Sequence, residues 1–285
     1  VNPEPSLDRR NLLRFGGVAA LGTLLVAACG TDDTAGTSTV PPRLGDAPPL
    51  GTLPTPVIDD AVLLRTAASL EYTAIEAYDL VLGQLSGLFT GPNAELIPVV
   101  ERLRSDHRGH AEKVNEALLT MQAQPFECAN ARLQAVYVLP ALELILGTEA
   151  AVAYGVTPVG EPKAPSDTPL EDVLTLAQGL ENLAAATYQS VVPSLSQPAL
   201  RRVAMSIAAD EARHATVIAR RLQPQMILPN GDSAATDAQA AVPSTFGNIG
   251  QIPVYLGARN QVGNKTVVNL ETPSLNALIY PTTTC

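Results

Sequence analysis

All three histidines of the chain fall in two short segments that echo each other, Asp106-His107-Arg108-Gly109-His110 and Asp210-Glu211-Ala212-Arg213-His214. A second echo lies upstream of each. Leu70-Glu71 is followed by Tyr78, and Leu180-Glu181 by Tyr188, so each Tyr stands two helical turns after its Glu. This doubling sets the order Glu helix, His helix, Glu helix, His helix, which is the plan of a four-helix bundle that holds two metal ions between facing helices.

The apolar periodicity agrees with that plan. A first helix over about 58–89 carries the stripe Ala61, Leu64, Ala68, Glu71, Ile75, Tyr78, Leu82 and Leu85. A second, over 93–122 after Gly91-Pro92, shows Ile97, Val100, Leu103, His107, His110, Val114, Leu118 and Met121. A third, over 167–194, carries Leu170, Leu174, Ala177, Glu181, Ala184, Tyr188 and Val192. The fourth, over 197–222, presents Leu200, Val203, Ile207, Glu211, His214, Ile218 and Leu222.

The two halves are joined by a stretch with Cys128, Pro140 and apolar residues up to Tyr154, far longer than a helical hairpin needs. Such a crossover makes the second and third helices parallel, and it predicts a short extra helix over 141–154 across one end, with Glu143 and Glu149 facing solvent. Beyond Leu222 the helical period stops. Residues 223–285 are rich in Pro, Asn, Gly and Thr, with apolar pieces at 252–256 and 266–270. They read as an extended arm wrapping the bundle, a small β hairpin being the other reading, and no chemistry is visible in them.

Glu71, His107, His110, Glu181, Glu211 and His214 thus interrupt stripes that would otherwise be apolar. Burying one unpaired charge costs several kcal/mol, while a whole domain is stable by only about 5–15 kcal/mol, so six ionisable groups in one core need compensation. Bound cations supply it most simply; a metal-free, hydrogen-bonded cluster is the competing reading. Carboxylate oxygen and imidazole nitrogen suit iron and manganese, and the Glu211-x-x-His214 spacing puts both ligands on one helical face. Asp210 stands one turn before His214 and Asp106 one turn before His110, each placed to accept the second ring N–H of its neighbour. Tyr78 and Tyr188 either bond near the metals, supply an electron or simply pack. Glu76 and the charges Glu101, Arg102, Arg104 and Arg108 read as solvent-facing, and Arg213 as paired with an acidic neighbour.

At these residues the chain resembles the ferritin-like superfamily, in particular its exported bacterial ferritin-like domain proteins. Asp210-Glu211-Ala212-Arg213-His214 is similar to the D-E-x-R-H signature of di-iron carboxylate oxygenases, and Glu71 with Tyr78 to the first-helix pattern of ferritins. The resemblance covers residues 58–222 and implies an all-α, ferritin-like four-helix bundle with a long crossover between helices 2 and 3, plus an irregular C-terminal arm. It implies Glu71, Glu181, Glu211, His110 and His214 as ligands of two iron ions, or of manganese. His107 departs from the pattern, standing where the family places a bridging Glu; a neutral imidazole offers one lone pair to one metal. The expected site is therefore asymmetric and bridged by Glu211, or holds a single ion, unless a local shift brings Asp106 in as a ligand. The implied activity is oxidation of Fe(II) with oxygen or peroxide, or peroxide consumption at manganese, with no catalytic residue assigned. The alternative is a non-catalytic binding or envelope-structural bundle with a degenerate site. A closed cage is disfavoured by the anchor and the arm; a homodimer is compatible with both.

Residues 1–28 read as an export signal. Asp8-Arg9-Arg10-Asn11-Leu12-Leu13-Arg14 resembles a twin-arginine signal, an apolar run follows from Phe15 to Ala28, and Val26-Ala27-Ala28-Cys29-Gly30 resembles a lipobox. Cys29 would then carry lipid, and residues 29–57, rich in Thr, Pro, Gly and Asp, would tether the bundle to the outer face of the cytoplasmic membrane or within the periplasm. Cys128 and Cys285 remain, either bridged in that oxidising compartment or as free thiols. The formal charge of -10 argues against nucleic acid and against a basic membrane-docking face.

Overall fold

The computed structural model describes residues 58–158, 160–222 and 252–270. The signal, the lipobox cysteine Cys29, the tether, most of the arm and Cys285 lie outside the described residues. Helix α1 spans Asp60–Gly83 and is capped by the Asp59 carboxylate, which accepts the Val62 N–H at 2.8 Å. Two 3₁₀ turns, Ser86–Leu88 and Gly91–Leu96, lead into α2, Ile97–Thr120. The first helix ends at Gly83, six residues before its expected boundary, and the 3₁₀ turns take up the rest; the second opens at Gly91, whose φ of 56° suits glycine. Pro92 and Pro98 each sit in a first helical turn, where their missing N–H is not needed.

Two polar contacts fix the helix directions. At the start of α1 the Asp60 carboxylate accepts the Ser196 N–H at 2.7 Å and its hydroxyl at 2.5 Å, just beyond α4, Pro169–Val191. At the end of α5, Pro198–Leu222, Arg221 donates to Asn93 Oδ1 at 2.5 Å, just before α2. Thus α1 opposes α4 and α2 opposes α5. Since α1 also opposes α2, helices α2 and α4 run parallel, and only a long crossover can join them.

That crossover is more ordered than its sequence predicts. The Asn115 side chain holds the turn after α2, accepting from Phe126 N at 2.8 Å and donating to Phe126 O at 3.2 Å. Asn130 donates its backbone N–H to Ser69 O and Thr73 Oγ1 at 3.1 and 2.9 Å and caps the helical turn Ala131–Leu133. A π-helical turn, Gln134–Val138, runs on into α3, Leu139–Leu146. Pro140 explains the widening: its ring crowds the carbonyl four residues back and it has no N–H to bond it. Helicity therefore begins ten residues before the expected Ala141, and it breaks at Gly147, where φ is 79° and a Cβ would meet Pro165 N at 2.9 Å. Glu149 is exposed as expected. Glu143 is not: it is 3% exposed, accepting Lys163 Nζ at 2.6 Å and Thr148 Oγ1 at 2.7 Å. These bonds hold its carboxyl below the usual range against the opposing effect of burial.

Within the arm the described residues form a hairpin, with β1 (Ile252–Leu256) antiparallel to β2 (Thr266–Leu270) and Val254 opposite Val268. The extended reading gives way to the hairpin there because Val254, Leu256, Val268 and Leu270 are buried on α4 and α3. Gly179 makes this approach possible, since a Cβ there would lie 2.5 Å from Val254 Cγ1. Lys265 pairs with the buried Asp172 of α4, whose other oxygen accepts Gly257 N at 2.7 Å. The bundle core divides into two apolar clusters, one around Leu63, Leu118, Leu200 and Ile207, the other around Leu70, Leu103, Ile145 and Leu183. Polar side chains occupy the level between them.

Candidate metal centre

The six ionisable residues on the stripes converge at that level. Glu71 comes from α1, His107 and His110 from α2, Glu181 from α4, and Glu211 and His214 from α5, each at most 8% exposed. They form two overlapping groups, Glu71, His107, His110 and Glu211, and His107, Glu181, Glu211 and His214. In each group the donor atoms, one per residue, lie within 4.8 Å of one another. His107 and Glu211 belong to both.

Glu211 spans the pair through its two oxygens: Oε1 is 2.8 Å from His110 Nδ1 and Oε2 is 3.1 Å from His214 Nδ1. His107 spans it through its two nitrogens, with Nδ1 2.7 Å from Glu71 Oε2 and Nε2 3.2 Å from Glu181 Oε1. His214 Nδ1 also lies 3.2 Å from Glu181 Oε2. The Tyr78 ring stacks on His107 with centroids 5.6 Å apart.

The tyrosines bond across the bundle. Tyr78 of α1 donates its hydroxyl to Glu181 Oε1 on α4, and Tyr188 of α4 donates to Glu71 Oε1 on α1. Burial and the adjacent carboxylate push both phenols well above their ordinary value, so both keep their protons.

The outer carboxylates cross too, and this corrects the sequence-based pairing. Asp106 faces His214 Nε2 at 3.4 Å, and Asp210 faces His110 Nε2 at 3.7 Å. The partner is not the His four residues on along the same helix: the antiparallel neighbour brings the other His within reach. Asp106 also accepts from Arg102 at 2.9 Å and does not enter either group of four, which removes it as a substitute ligand. Asp210 pairs with Arg213, the acidic neighbour expected for that arginine. Glu76 is exposed and accepts from Gln134 at 2.7 Å. Among the charges of α2, Arg104 is half-buried rather than exposed, bonded to Asp79 at 2.6 Å.

Burial disfavours charge on every one of the six, and their mutual attraction decides the outcome. His110 is lowered by burial but raised more by the hydrogen bonds and charges of Glu211 and Glu71, ending at about 10. His214 likewise reaches about 10 through Glu181 and Glu211. His107 ends well above its ordinary value through the charges of Glu211 and Glu181. Burial raises Glu71 and Glu181, yet the imidazoles hold both below the usual carboxylate range. Glu211 goes the other way: burial and the repulsion of Glu71 and Glu181 outweigh the pull of His107 and raise it.

Without a cation, protons on the imidazoles balance the cluster. The same atoms make a coherent donor set for one: three carboxylates and three imidazoles, buried, with no thiolate, the chemistry that suits iron and manganese. In both outer histidines Nδ1 faces the carboxylates of the centre and Nε2 faces an Asp, which fixes the tautomer a ligand needs. Cys128 is disulfide-bonded, and both other cysteines lie outside the described residues.

A family model described as a ferritin-like domain matches residues 59–224. No curated protein and no solved structure matches the chain.

Proposed function

The chain belongs to the ferritin-like domain family, and on that premise we propose that its bundle core is a dinuclear iron centre, with manganese the alternative ion, that oxidises Fe(II) with oxygen or peroxide. The observation that carries the reading is the pair of overlapping groups of four that share His107 and Glu211. Glu71 and His110 would hold one ion, Glu181 and His214 the other, and Glu211 would reach both. The bound metal supplies a Lewis acid and a source of electrons for the oxidant.

The chain's own residues prepare that chemistry. Asp106 and Asp210 orient His214 and His110. Tyr78 and Tyr188 hold protons beside Glu181 and Glu71: Tyr188 bonds Glu71 Oε1 while His107 faces Oε2, whereas Tyr78 shares Glu181 Oε1 with His107 Nε2. His107, limited to one lone pair when neutral, would serve only one of the two ions and donate through its other nitrogen, which would make the two positions unequal. The apolar cluster around Leu63, Leu118, Leu200 and Ile207 packs against one side of the centre.

We place this activity outside the cytoplasm, on a bundle tethered by a lipid on Cys29; the order of twin arginines, apolar run and lipobox supports that reading. Fe(II) oxidation by the full chain in air, followed optically, tests the activity: Glu211→Ala should abolish it, and equal rates for variant and wild type would refute the assignment. One observation favours the non-catalytic reading, namely that carboxylates face both nitrogens of His107, as in a cluster balanced by protons alone.

A further inference from the structure

On one side of the metal centre the bundle is hollow. An apolar cavity of about 340 Å³ extends from Tyr78, His107 and Glu181 to Arg220 and Arg221 near the end of α5. Its volume falls in the range of small-molecule sites, about 300–1,000 Å³. The space exists because alanines occupy bundle-facing positions there, Ala74 and Ala77 on α1 and Ala177 and Ala184 on α4. Leu96, at the end of the 3₁₀ turn that leads into α2 and eleven residues before His107, also lines it, so the cavity follows α2 for about 16 Å.

The wall is not uniform. Val217, 48% exposed, and the exposed Arg220 mark the mouth. Arg220 makes no ion pair among the described residues. Arg221 uses one terminal nitrogen on Asn93, while its buried Nε has no hydrogen-bond partner. Two adjacent cations therefore stand at the mouth of an otherwise apolar, elongated space in a chain of net charge -10. An unfilled void of this size weakens a core, and an apolar occupant restores the lost contacts.

We propose that this cavity binds a long-chain aliphatic carboxylate, its chain lying between α1, α2 and α4 and its carboxylate at Arg220 and Arg221. The chain would end against Tyr78 and His107, so the ligand and the metal centre share a wall. Charge complementarity selects the acid over a neutral lipid, since an alcohol of equal length fills the same volume without meeting the guanidinium groups. The proposal does not depend on a metal being bound.

The test is titration of hexadecanoate and of hexadecanol into the full chain, stripped of metal, by calorimetry. Saturable binding of hexadecanoate is expected. The double variant Arg220→Gln, Arg221→Gln should weaken it about tenfold or more, the scale of a lost charged hydrogen bond, while leaving hexadecanol nearly unchanged. The cavity-filling variants Ala77→Phe and Ala177→Phe should weaken both ligands. Absence of saturable binding to the wild type overturns the proposal, as does binding that ignores the cavity-filling variants in folded protein, or an equal loss of acid and alcohol in the arginine variant. Because no metal is present, failure here leaves the metal centre untouched, and failure of the metal centre leaves this result standing.

Discussion

Asp106 on α2 faces His214 on α5, with Oδ2 3.4 Å from Nε2, and not His110, which lies one turn further along its own helix. The reciprocal pair, Asp210 with His110, is set the same way. Each outer carboxylate therefore steadies the histidine of the opposite half-site, and the antiparallel contact between α2 and α5 is part of the site itself.

The crossing makes a directional prediction. Asp106→Asn should lower the proton affinity of His214 in the metal-free chain and leave that of His110 nearly unchanged, and Asp210→Asn should do the reverse. Histidine ring resonances followed through a pH titration read this directly. In the metal-loaded protein, removing such an outer partner typically costs about 10–100-fold in affinity.

The histidines also give the metal-free protein a pH signature. A group whose folded pKa is raised adds stability that is complete below its unfolded value, about 6.5 for histidine, and is lost as pH rises through the folded value. For His110 and His214 that value is about 10, and His107 moves in the same direction. Thermal stability without metal should fall between about pH 6.5 and pH 10. Metal uptake must expel the same protons, so affinity should rise across this interval and buffer-dependent proton release should accompany binding. A Tm independent of pH over that range would contradict the charge assignment.

His107 is where the chain departs from a symmetric carboxylate site. His107→Glu would place a second carboxylate opposite Glu211, able to reach both positions, at the cost of one more buried negative charge when metal is absent. The variant should be less stable than wild type without metal and should oxidise Fe(II) faster with it. Unchanged metal stoichiometry together with an unchanged rate would show that His107 does not limit the site.

The six residues of the cluster were legible in the sequence because an ionisable side chain on an apolar stripe is conspicuous: Glu71, His107, His110, Glu181, Glu211 and His214 all lie where the period demands an apolar residue. Helix order and the parallel arrangement of α2 and α4 followed from the same stripes and from the length of the connection. The pairing of Asp106 and Asp210 was not legible, because spacing along one helix describes only neighbours on that helix, whereas their histidines arrive from the facing one. Glu143 was misplaced for a related reason. Its partner Lys163 lies twenty residues on in irregular chain, beyond the reach of any periodicity. The cavity escaped too: Ala74, Ala77, Ala177 and Ala184 are apolar, and a hydrophobic pattern does not distinguish an alanine that packs from one that leaves room.

The most direct test of the central claim is elemental analysis of the chain after anaerobic loading with Fe(II) or Mn(II) and desalting, beside a His214→Ala control. A dinuclear centre built on the two groups that share His107 and Glu211 predicts two metal ions retained per chain, with the loss of at least one in the control. Retention of no metal by the wild type would contradict it and leave the cluster as a proton-balanced core.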